Sequence, residues 1–308
     1  MALPVTVLAR GFASSAAAAA AIKHVTIVGG GLMGSGIAQV SAQHGNQVTL
    51  VDVSEDVLKK SRQNIETSLK RVAKKMFKDD TAKGEQLISE TLSRIQTNVD
   101  LKSAVQKADL VLEAVVEKIE VKHELFSLID NVAPESTIFA SNTSSLLIGD
   151  IASVSTRKDR FAGLHFFNPV PVMKLLEVVR IPETSDDTYN KLIEWGAAIG
   201  KTTVTCKDTP GFIVNRLLIP YSSEAIRMLE RGDATARDID TAMKLGAGYP
   251  MGPIELADYT GLDTGHYIRQ AWAKKFPGNP LFEPSKLVEK LVSEGKLGRK
   301  TGEGFYKY

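Results

Sequence analysis

Two side chains in the middle of the chain have the types and spacing that acid–base catalysis requires. His165 lies at the end of the apolar segment 161–166, and Glu177 lies within a second apolar segment, 175–179. A proline-containing turn, 168–171, separates the segments, so a strand, a turn and a returning strand would bring the two side chains together. A carboxylate in an apolar segment is costly unless it is paired, and a histidine would satisfy it. The pair would fix the imidazole tautomer and make His165 a candidate general base; the alternative is a core histidine beside an unrelated glutamate.

The other histidines and the single cysteine do not suggest a second reactive site. Cys206 is the only cysteine, which excludes an intramolecular disulfide and argues against a secreted, disulfide-stapled protein. Four further histidines are spread along the chain: His24, His44, His123 and His266. Their spacing is not that of metal ligands, so we predict no metal site.

A glycine-rich segment near the start of the chain indicates a second kind of chemistry. The β-branched run 25–28 leads into 29–34, which has the pattern GxGxxG, and small residues at 36–42 follow with a helical pattern. A second β-branched run, 48–51, ends at Asp52, about 20 residues after the middle glycine. Strand, turn, helix, strand and terminal acid in this order are typical of the Rossmann dinucleotide-binding unit.

Each residue of this segment has a physical role in binding a dinucleotide. Gly29 allows the tight turn, Gly31 lets the backbone approach a pyrophosphate, and Gly34 lets the helix pack on the strand. The N-terminus of the helix would bind the phosphates through its unpaired N–H groups. Asp52 would accept hydrogen bonds from the ribose hydroxyls and repel a 2′-phosphate, so we predict NAD rather than NADP as the cofactor.

The strand patterns that follow predict an α/β fold. Near-continuous apolar runs at 109–115, 137–141 and 161–166 alternate with helical segments, as in a doubly wound, mostly parallel sheet covered on both faces. Ligands of such sheets bind beyond the carboxyl ends of the strands. Four polar side chains lie at or just past such ends: Glu117, Asn142, Ser144 and His165.

The chain divides into a Rossmann-type domain and an all-helical domain. We assign 22–207 to the NAD-binding domain, with a helical insertion at about 55–95, and 208–308 to a helical domain. Wide apolar faces on its helices suggest a substrate and dimerisation domain that packs against a second subunit, and the alternative is a self-contained helical bundle. The first helix of the insertion is strongly basic, and spacing alone indicates a solvated face. Helices of the C-terminal domain are predicted at roughly 212–231, 236–246, 262–275 and 284–295.

Composition excludes several classes of protein. The chain has 308 residues, a formal net charge of +2, 43% apolar residues and 24% charged residues, so it is an ordinary globular protein with no general electrostatic reason to bind nucleic acid. The uncharged stretch 24–51 is long enough for a membrane span, but its glycines and polar residues argue against an integral membrane segment.

Residues 1–21 carry only one charge, Arg10, and are rich in alanine and serine. This composition predicts a mitochondrial presequence and a matrix location.

Six motifs, in order along residues 22–308, resemble the L-3-hydroxyacyl-CoA dehydrogenase family. They are Gly29-Gly30-Gly31-Leu32-Met33-Gly34, Glu113-Ala114-Val115-Val116-Glu117, Ser141-Asn142-Thr143-Ser144-Ser145, His165-Phe166-Phe167-Asn168-Pro169, Asp208-Thr209-Pro210-Gly211-Phe212 and Gly304-Phe305-Tyr306. The resemblance implies NAD-dependent oxidation of the 3-hydroxyl of an (S)-3-hydroxyacyl-CoA to the 3-oxoacyl-CoA, in mitochondrial fatty-acid β-oxidation. It also implies a homodimer formed through the helical domain.

The same resemblance implies roles for individual residues. His165 matches the base that removes the hydroxyl proton, Glu177 matches its orienting partner, and Ser144 and Asn215 match groups that hydrogen-bond the substrate. Ser144 also belongs to the cofactor and CoA contacts. Further cofactor contacts are implied at Glu117, Lys122, Asn168 and Lys300, and CoA contacts at Ser68 and Lys75. The implied CoA contacts give the basic helix a binding role instead of a merely solvated one.

Three other functions compete with this interpretation. A β-hydroxyacid dehydrogenase of the phosphogluconate type shares the two-domain plan but typically relies on a lysine, which the pairing of His165 with Glu177 argues against. A dehydrogenase of a free hydroxy acid would not need the basic helix that carries Lys75. A dinucleotide-binding sensor or structural protein would not need the intact base and its partner.

Overall fold

The computed structural model describes residues 22–308, and the predicted presequence at 1–21 lies outside the described residues. One eight-stranded sheet forms the centre of the N-terminal part, with the strand order β3-β2-β1-β4-β5-β6-β7-β8. The strands are β1 (His24–Val28), β2 (Gln47–Val51), β3 (Ile95–Asn98), β4 (Leu110–Glu113), β5 (Ile138–Ser141), β6 (Phe161–Phe166), β7 (Leu175–Arg180) and β8 (Thr202–Lys207).

Helices cover both faces of the sheet and make up most of the C-terminal part. In the sheet region they are α1 (Leu32–Gln43), α2 (Glu55–Met76), α3 (Thr81–Ser93), α4 (Leu101–Ala104), α5 (Ile119–Asp130), α6 (Ile148–Ala152) and α7 (Asp186–Ala198). The C-terminal helices are α8 (Val214–Arg231), α9 (Ala236–Gly246), α10 (Pro253–Thr260), α11 (Leu262–Lys275) and α12 (Lys286–Ser293). This arrangement confirms the predicted fold class. Within residues 22–308, no helix has both the length and the hydropathy that a membrane span requires.

Strand direction determines where polar groups can gather. Each neighbouring pair in the sheet is parallel except β6 and β7, which are antiparallel. In that pair His165 lies directly opposite Glu177, as the strand–turn–strand pattern predicts. Strands β1, β4, β5 and β6 therefore end at the same edge of the sheet, where the loops that follow them meet.

Apolar side chains form separate cores around this framework. On one side of the sheet, α1 and α2 pack against strand residues such as Ile27 and Leu50, which are fully buried. Another cluster, which includes Phe126 and Phe139, packs α5 against the sheet. A third core, which includes Ile226, lies among the C-terminal helices.

Two differences from the sequence predictions have clear causes. The helix expected from about residue 212 begins at Val214, because Gly211 (φ 78°) and Phe212 (φ 52°) both adopt left-handed backbone conformations just before it. Strand β3 was not predicted, because Ile95–Asn98 holds only one buried apolar residue, Ile95. Its place in the sheet comes from parallel pairing with β2.

The glycine turn between β1 and α1 provides a test of the roles assigned to its residues. A Cβ at Gly34 would overlap the carbonyl oxygen of Gly29, whereas a Cβ at Gly31 would meet no atom within 4 Å. Gly31 has φ −66°, which alanine adopts readily. We expect Gly34→Ala to lower the free energy of unfolding by about 2–3 kcal/mol through overpacking. Gly31→Ala should cost less than about 1 kcal/mol, the scale of a helix N-cap change.

Urea unfolding of both variants, together with NADH binding by fluorescence, measures the two effects separately. Gly31→Ala should weaken NADH binding in a protein that remains nearly as stable as wild type, because its Cβ would occupy the open space beside the turn. Equal losses of stability in the two variants would contradict the distinction between a packing glycine and a ligand-facing glycine.

Candidate active site

His165 and Glu177 form a buried pair across the antiparallel strands. The Nδ1 atom of His165 lies 2.6 Å from Oε2 of Glu177. Glu177 is fully buried, and His165 is 5% exposed. An ionised carboxylate can only accept hydrogen bonds, so Nδ1 carries the proton, and Nε2 is the ring nitrogen that can take a proton from a substrate.

The second oxygen of Glu177 connects this pair to the C-terminal helices. Oε1 accepts hydrogen bonds from the backbone N–H groups of Ile213 (3.1 Å) and Val214 (2.9 Å), at the start of α8. These bonds and the imidazole offset the cost of burying the carboxylate. Glu177 therefore orients His165 and also fixes the first turn of α8, the turn that carries Asn215.

Aromatic rings surround the imidazole. The ring centroid of Phe167 lies 4.5 Å from that of His165, and the centroid of Phe212 lies 5.5 Å from it. The local backbone determines the positions of both phenylalanines. Phe167 is the first residue after β6, and Phe212 lies two residues before α8. The rings limit the rotation of His165 and keep water away from two of its sides.

A cavity of about 330 Å³ lies beside His165, at the carboxyl ends of the parallel strands. Seven polar residues that the sequence analysis placed at strand ends or in the site line it: Glu117, Lys122, Asn142, Ser144, His165, Asn168 and Asn215. Asn215 Nδ2 donates to the carbonyl oxygen of Ser144 (3.4 Å), so α8 contacts the loop that follows β5. A larger cavity of about 720 Å³ lies among the C-terminal helices, beside Arg227 and Arg269, but it includes none of the predicted site residues.

Glu117 and Lys122 lie beside the cavity within a charged network. Lys122 is 1% exposed, and its Nζ lies 2.6 Å from Glu113 Oε1 and 3.1 Å from Glu117 Oε2. Oε1 of Glu117 accepts from the hydroxyl of Thr143 (2.5 Å) and the backbone N–H of Ser144 (2.9 Å). Burial alone would raise the pKa of Glu117, but the Lys122 ammonium and these hydrogen bonds outweigh it and hold the pKa below its usual value. Glu117 is therefore an ionised anchor for the loop at Ser144.

The dinucleotide turn has the geometry that NAD binding requires. Gly29 has φ 112°, and a Cβ there would overlap the backbone of Ala114. Among the described residues no side chain caps the N-terminus of α1, and the space beside Gly31 is open, so a phosphate group can reach the free N–H groups. Asp52 accepts from the backbone N–H of Gly30 (2.8 Å), which holds its carboxylate beside the turn. These residues fit the dinucleotide.

Two of the three residues that the resemblance assigns to CoA lie on one helix, and the third, Ser144, lines the cavity. Ser68 and Lys75 are seven residues apart on α2, so they share a helix face. Ser68 is half-buried and Lys75 is exposed, and Lys75 forms no ion pair within residues 22–308. Neither residue lines the cavity beside His165. Their contact with CoA stays a prediction.

Lys300 lies apart from the residues that line the cavity. Its Nζ pairs with Asp263 of α11 at 2.6 and 2.7 Å, and it is absent from the cavity wall. Its contact with the cofactor also stays a prediction.

Several residues that shape the site were not predicted to have a role in it. Glu113 and Ser141 end neighbouring strands and bond to each other through Ser141 Oγ and Glu113 Oε2 (2.5 Å). Lys201 is buried, and its Nζ donates to the carbonyl oxygens of Val170 (2.5 Å) and Met173 (2.7 Å), which holds the turn that carries Asn168. Burial lowers the pKa of Lys201. Of these three residues, only Glu113 could have been found from the sequence, because a charged residue at the end of an apolar strand is unusual.

Cys206 does not add thiol chemistry to the site. Burial, followed by the negative charges of Glu177 and Asp208, raises its pKa to about 12. The thiol is therefore protonated at neutral pH and is a poor nucleophile.

Comparison with known proteins agrees with this geometry. The family model described as "3-hydroxyacyl-CoA dehydrogenase, NAD binding domain" matches residues 24–209, and "3-hydroxyacyl-CoA dehydrogenase, C-terminal domain" matches 211–308. The chain is 59% identical over 296 residues to "Hydroxyacyl-coenzyme A dehydrogenase, mitochondrial" of Homo sapiens, which covers 96% of this chain and 94% of that protein. It is 56% identical over 295 residues to a probable 3-hydroxyacyl-CoA dehydrogenase of Caenorhabditis elegans, covering 96% of each chain.

A solved structure shows the same architecture. The crystal structure of (S)-3-hydroxybutyryl-CoA dehydrogenase from Ralstonia eutropha superposes with a TM-score of 0.87 at 40% identity, covering 94% of this chain and 99% of that one. These findings confirm the resemblance, the NAD prediction and the assignment as a dehydrogenase. The protein is an NAD-dependent oxidoreductase, and the chain belongs to the 3-hydroxyacyl-CoA dehydrogenase family.

Proposed function

We propose that this protein oxidises the 3-hydroxyl of an (S)-3-hydroxyacyl-CoA, with His165 as the general base and Glu177 as its orienting partner. The observation that supports this proposal is the 2.6 Å bond between His165 Nδ1 and the buried Glu177 carboxylate, at a cavity beside the dinucleotide turn. NAD, when bound, supplies the hydride acceptor. The protein supplies orientation and a proton acceptor.

The pair moves a proton in a defined direction. Because Glu177 holds the proton on Nδ1, Nε2 accepts the hydroxyl proton of the substrate as the carbonyl forms. The imidazole then carries a positive charge, which the Glu177 carboxylate stabilises across the 2.6 Å bond. The rings of Phe167 and Phe212 exclude water, which strengthens this interaction.

Side chains on the cavity wall would position the substrate and the cofactor. Ser144 and Asn215 present polar groups from the two parts of the chain, and the bond from Asn215 to Ser144 O keeps them together. We assign them to the reacting end of the acyl group, and Asn168 to the nicotinamide. Glu117 and Lys122 line the same cavity and would contact the cofactor.

The exposed face of α2 would bind the CoA end of the substrate. Lys75 is an exposed cation without an ion pair in the described part of the chain, and Ser68 lies two turns before it. A phosphate group of CoA would give Lys75 a charged partner.

The proposal includes a homodimer in the mitochondrial matrix, acting in fatty-acid β-oxidation. Large apolar side chains of the C-terminal helices are exposed, Leu217 by 68% and Leu245 by 83%. The buried hydroxyl of Tyr221 has no partner within residues 22–308. A second copy would cover such a surface.

The human relative's name includes "mitochondrial", and the composition of residues 1–21 is that of a presequence.

The first test follows NADH formation by purified protein with NAD and (S)-3-hydroxybutyryl-CoA. The free acid (S)-3-hydroxybutyrate and NADP serve as parallel controls. We expect turnover only with the CoA ester and NAD, because Lys75 and Asp52 select these two ligands by charge. Turnover of the free acid at a similar kcat/KM would refute the CoA assignment, and NADH binding without turnover would favour a sensor protein.

Variants of the His165–Glu177 pair test the mechanism. His165→Gln should lower kcat by about 10²- to 10⁴-fold, the usual contribution of a general base, with a small change in KM. Glu177→Gln should lower kcat by about tenfold or more, since the neutral amide cannot stabilise the imidazolium. Steady-state kinetics at several pH values measure both, and thermal unfolding shows whether each variant is folded. If folded Glu177→Gln kept the wild-type kcat at every pH, the paired mechanism would be wrong.

Asp52 provides the test of cofactor selectivity. Asp52→Asn keeps an acceptor for the Gly30 N–H but removes the charge that repels a 2′-phosphate. We expect the ratio of kcat/KM for NAD over NADP to fall by about tenfold or more. Asp56→Asn, an equal charge change in the exposed first turn of α2, is the matched control and should leave the ratio unchanged. If Asp52→Asn and Asp56→Asn lowered this ratio equally, the overall charge of the protein, and not the position of Asp52, would determine cofactor selectivity.

A further inference from the structure

Glu113 is a buried charge that has no role in the proposed mechanism. It is the last residue of β4 and is fully buried. In the sheet it pairs in register with Val28 at the end of β1 and Ser141 at the end of β5. Glu113 therefore lies at the edge where the dinucleotide turn and the loop of Ser144 begin, and it lines the cavity beside His165.

Both oxygens of Glu113 have partners with short bonds. Oε1 accepts from Lys122 Nζ (2.6 Å) and from the backbone N–H of Val115 (2.7 Å). Oε2 accepts from the Ser141 hydroxyl (2.5 Å). Buried ion pairs are often no better for stability than well-packed apolar residues, so stability alone is a weak reason for this arrangement. The positions of its partners suggest another reason.

Two routes lead from Glu113 to the loop that carries Ser144. Through Lys122, Glu113 reaches Glu117 (3.1 Å), whose Oε1 accepts the backbone N–H of Ser144 (2.9 Å). Through Ser141, it reaches the same loop one residue earlier, because Ser141 Oγ accepts the backbone N–H of Thr143 (3.2 Å). The Lys122 ammonium thus lies between two carboxylates, one in the sheet and one that holds the loop.

We propose that Glu113 is a positioning residue, which acts through Lys122, Glu117 and Ser141 to hold Ser144 at the reacting atoms. The inference rests on the proposed function, in which Ser144 contacts both substrate and cofactor. Without the charge of Glu113, Lys122 has only Glu117 as a carboxylate partner, and its bond to the sheet is weaker because the acceptor is neutral. Lys122 then holds the Glu117 carboxylate less firmly. Because Glu117 accepts the backbone N–H of Ser144, the position of the Ser144 hydroxyl becomes less well defined.

The test compares Glu113→Gln with a control on the same helix as Lys122. Asp130, at the end of α5, is a similar carboxylate with several donors, accepting from Ser155 Oγ (2.8 Å), Thr156 N (2.9 Å) and Arg157 Nε (3.0 Å). It does not line the cavity beside His165. Asp130→Asn also removes one negative charge from a carboxylate with several hydrogen-bond donors. It therefore shows how much the kinetic constants change when only the stability of the fold is lowered.

We expect Glu113→Gln to lower kcat/KM for the acyl-CoA by about 10- to 100-fold, the scale of a small misplacement of a contact group. Its Kd for NADH should rise severalfold, and the pH dependence of kcat/KM should keep the wild-type shape because His165 and Glu177 are untouched. Asp130→Asn should keep wild-type kinetic constants even where its thermal stability is lower. Similar kinetic constants for the two variants would overturn the proposal.

A double-mutant cycle with Ser144→Ala identifies the route. If Glu113 acts through Ser144, then Glu113→Gln should cause little further loss of kcat/KM in the Ser144→Ala protein. If Glu113→Gln instead lowered kcat/KM by the same factor in the Ser144→Ala protein as in the wild type, Glu113 would act elsewhere and the proposal would be overturned. Should Glu113→Gln fail to fold, Ser141→Ala, which removes one route, should show the same kinetic direction, and wild-type kinetics there would refute the proposal.

The failure of the proposed function can be recognised separately. Wild-type protein is first assayed with (S)-3-hydroxybutyryl-CoA, so absent turnover refutes that function before any variant is compared. The NADH Kd needs no turnover. A higher Kd for Glu113→Gln than for Asp130→Asn would then still support the positioning role at the cofactor side, and equal Kd values would refute it.

Discussion

The need to satisfy one buried carboxylate, that of Glu177, determines much of the site. An ionised carboxylate inside a sheet is stable only if hydrogen-bond donors reach both oxygens. Here an imidazole reaches one oxygen, and the backbone N–H groups of Ile213 and Val214, at the start of α8, reach the other. The first requires an antiparallel partner strand in one register, and the second requires that α8 begin at this point. The pairing of His165 with Glu177 and the attachment of the C-terminal helices therefore depend on the same group.

The other end of the cavity is built on the same principle. Glu113 ends a parallel strand, and its partners come from α5 and the neighbouring strand, so the loops at the sheet edge are tied to the sheet by charge-assisted bonds. The strands between the two carboxylates, β5 and β6, lead into loops that line the cavity, and the dinucleotide turn lies on the other side of Glu113, at the end of β1. A parallel sheet delivers all these groups to one edge because its strands end there.

Local patterns made part of this site predictable. The glycine turn and Asp52 depend on spacing within short segments, so the sequence indicated them directly. The same kind of spacing indicated that His165 and Glu177 are neighbours, but only the register of β6 and β7 decides between a bonded pair and an unrelated glutamate. The start of α8 at Val214 was not predictable, because it follows from the left-handed backbone of Phe212 and from bonds to a strand far away in sequence. Likewise, the burial of Lys122 between two carboxylates and the pairing of Lys300 with Asp263 depend on tertiary distances that no local pattern encodes.

The junction between the two parts of the chain restricts how they can move. The bonds from Ile213 and Val214 to Glu177, and from Asn215 to Ser144, all involve the first residues of α8. A motion that displaced this turn would break the orientation of His165, so a catalytically competent motion must leave it in place. Pro220, inside α8, lacks the N–H that would continue the helical bonding. The first turn of α8 is therefore held to Glu177 by bonds that do not depend on the helical bonding that Pro220 interrupts.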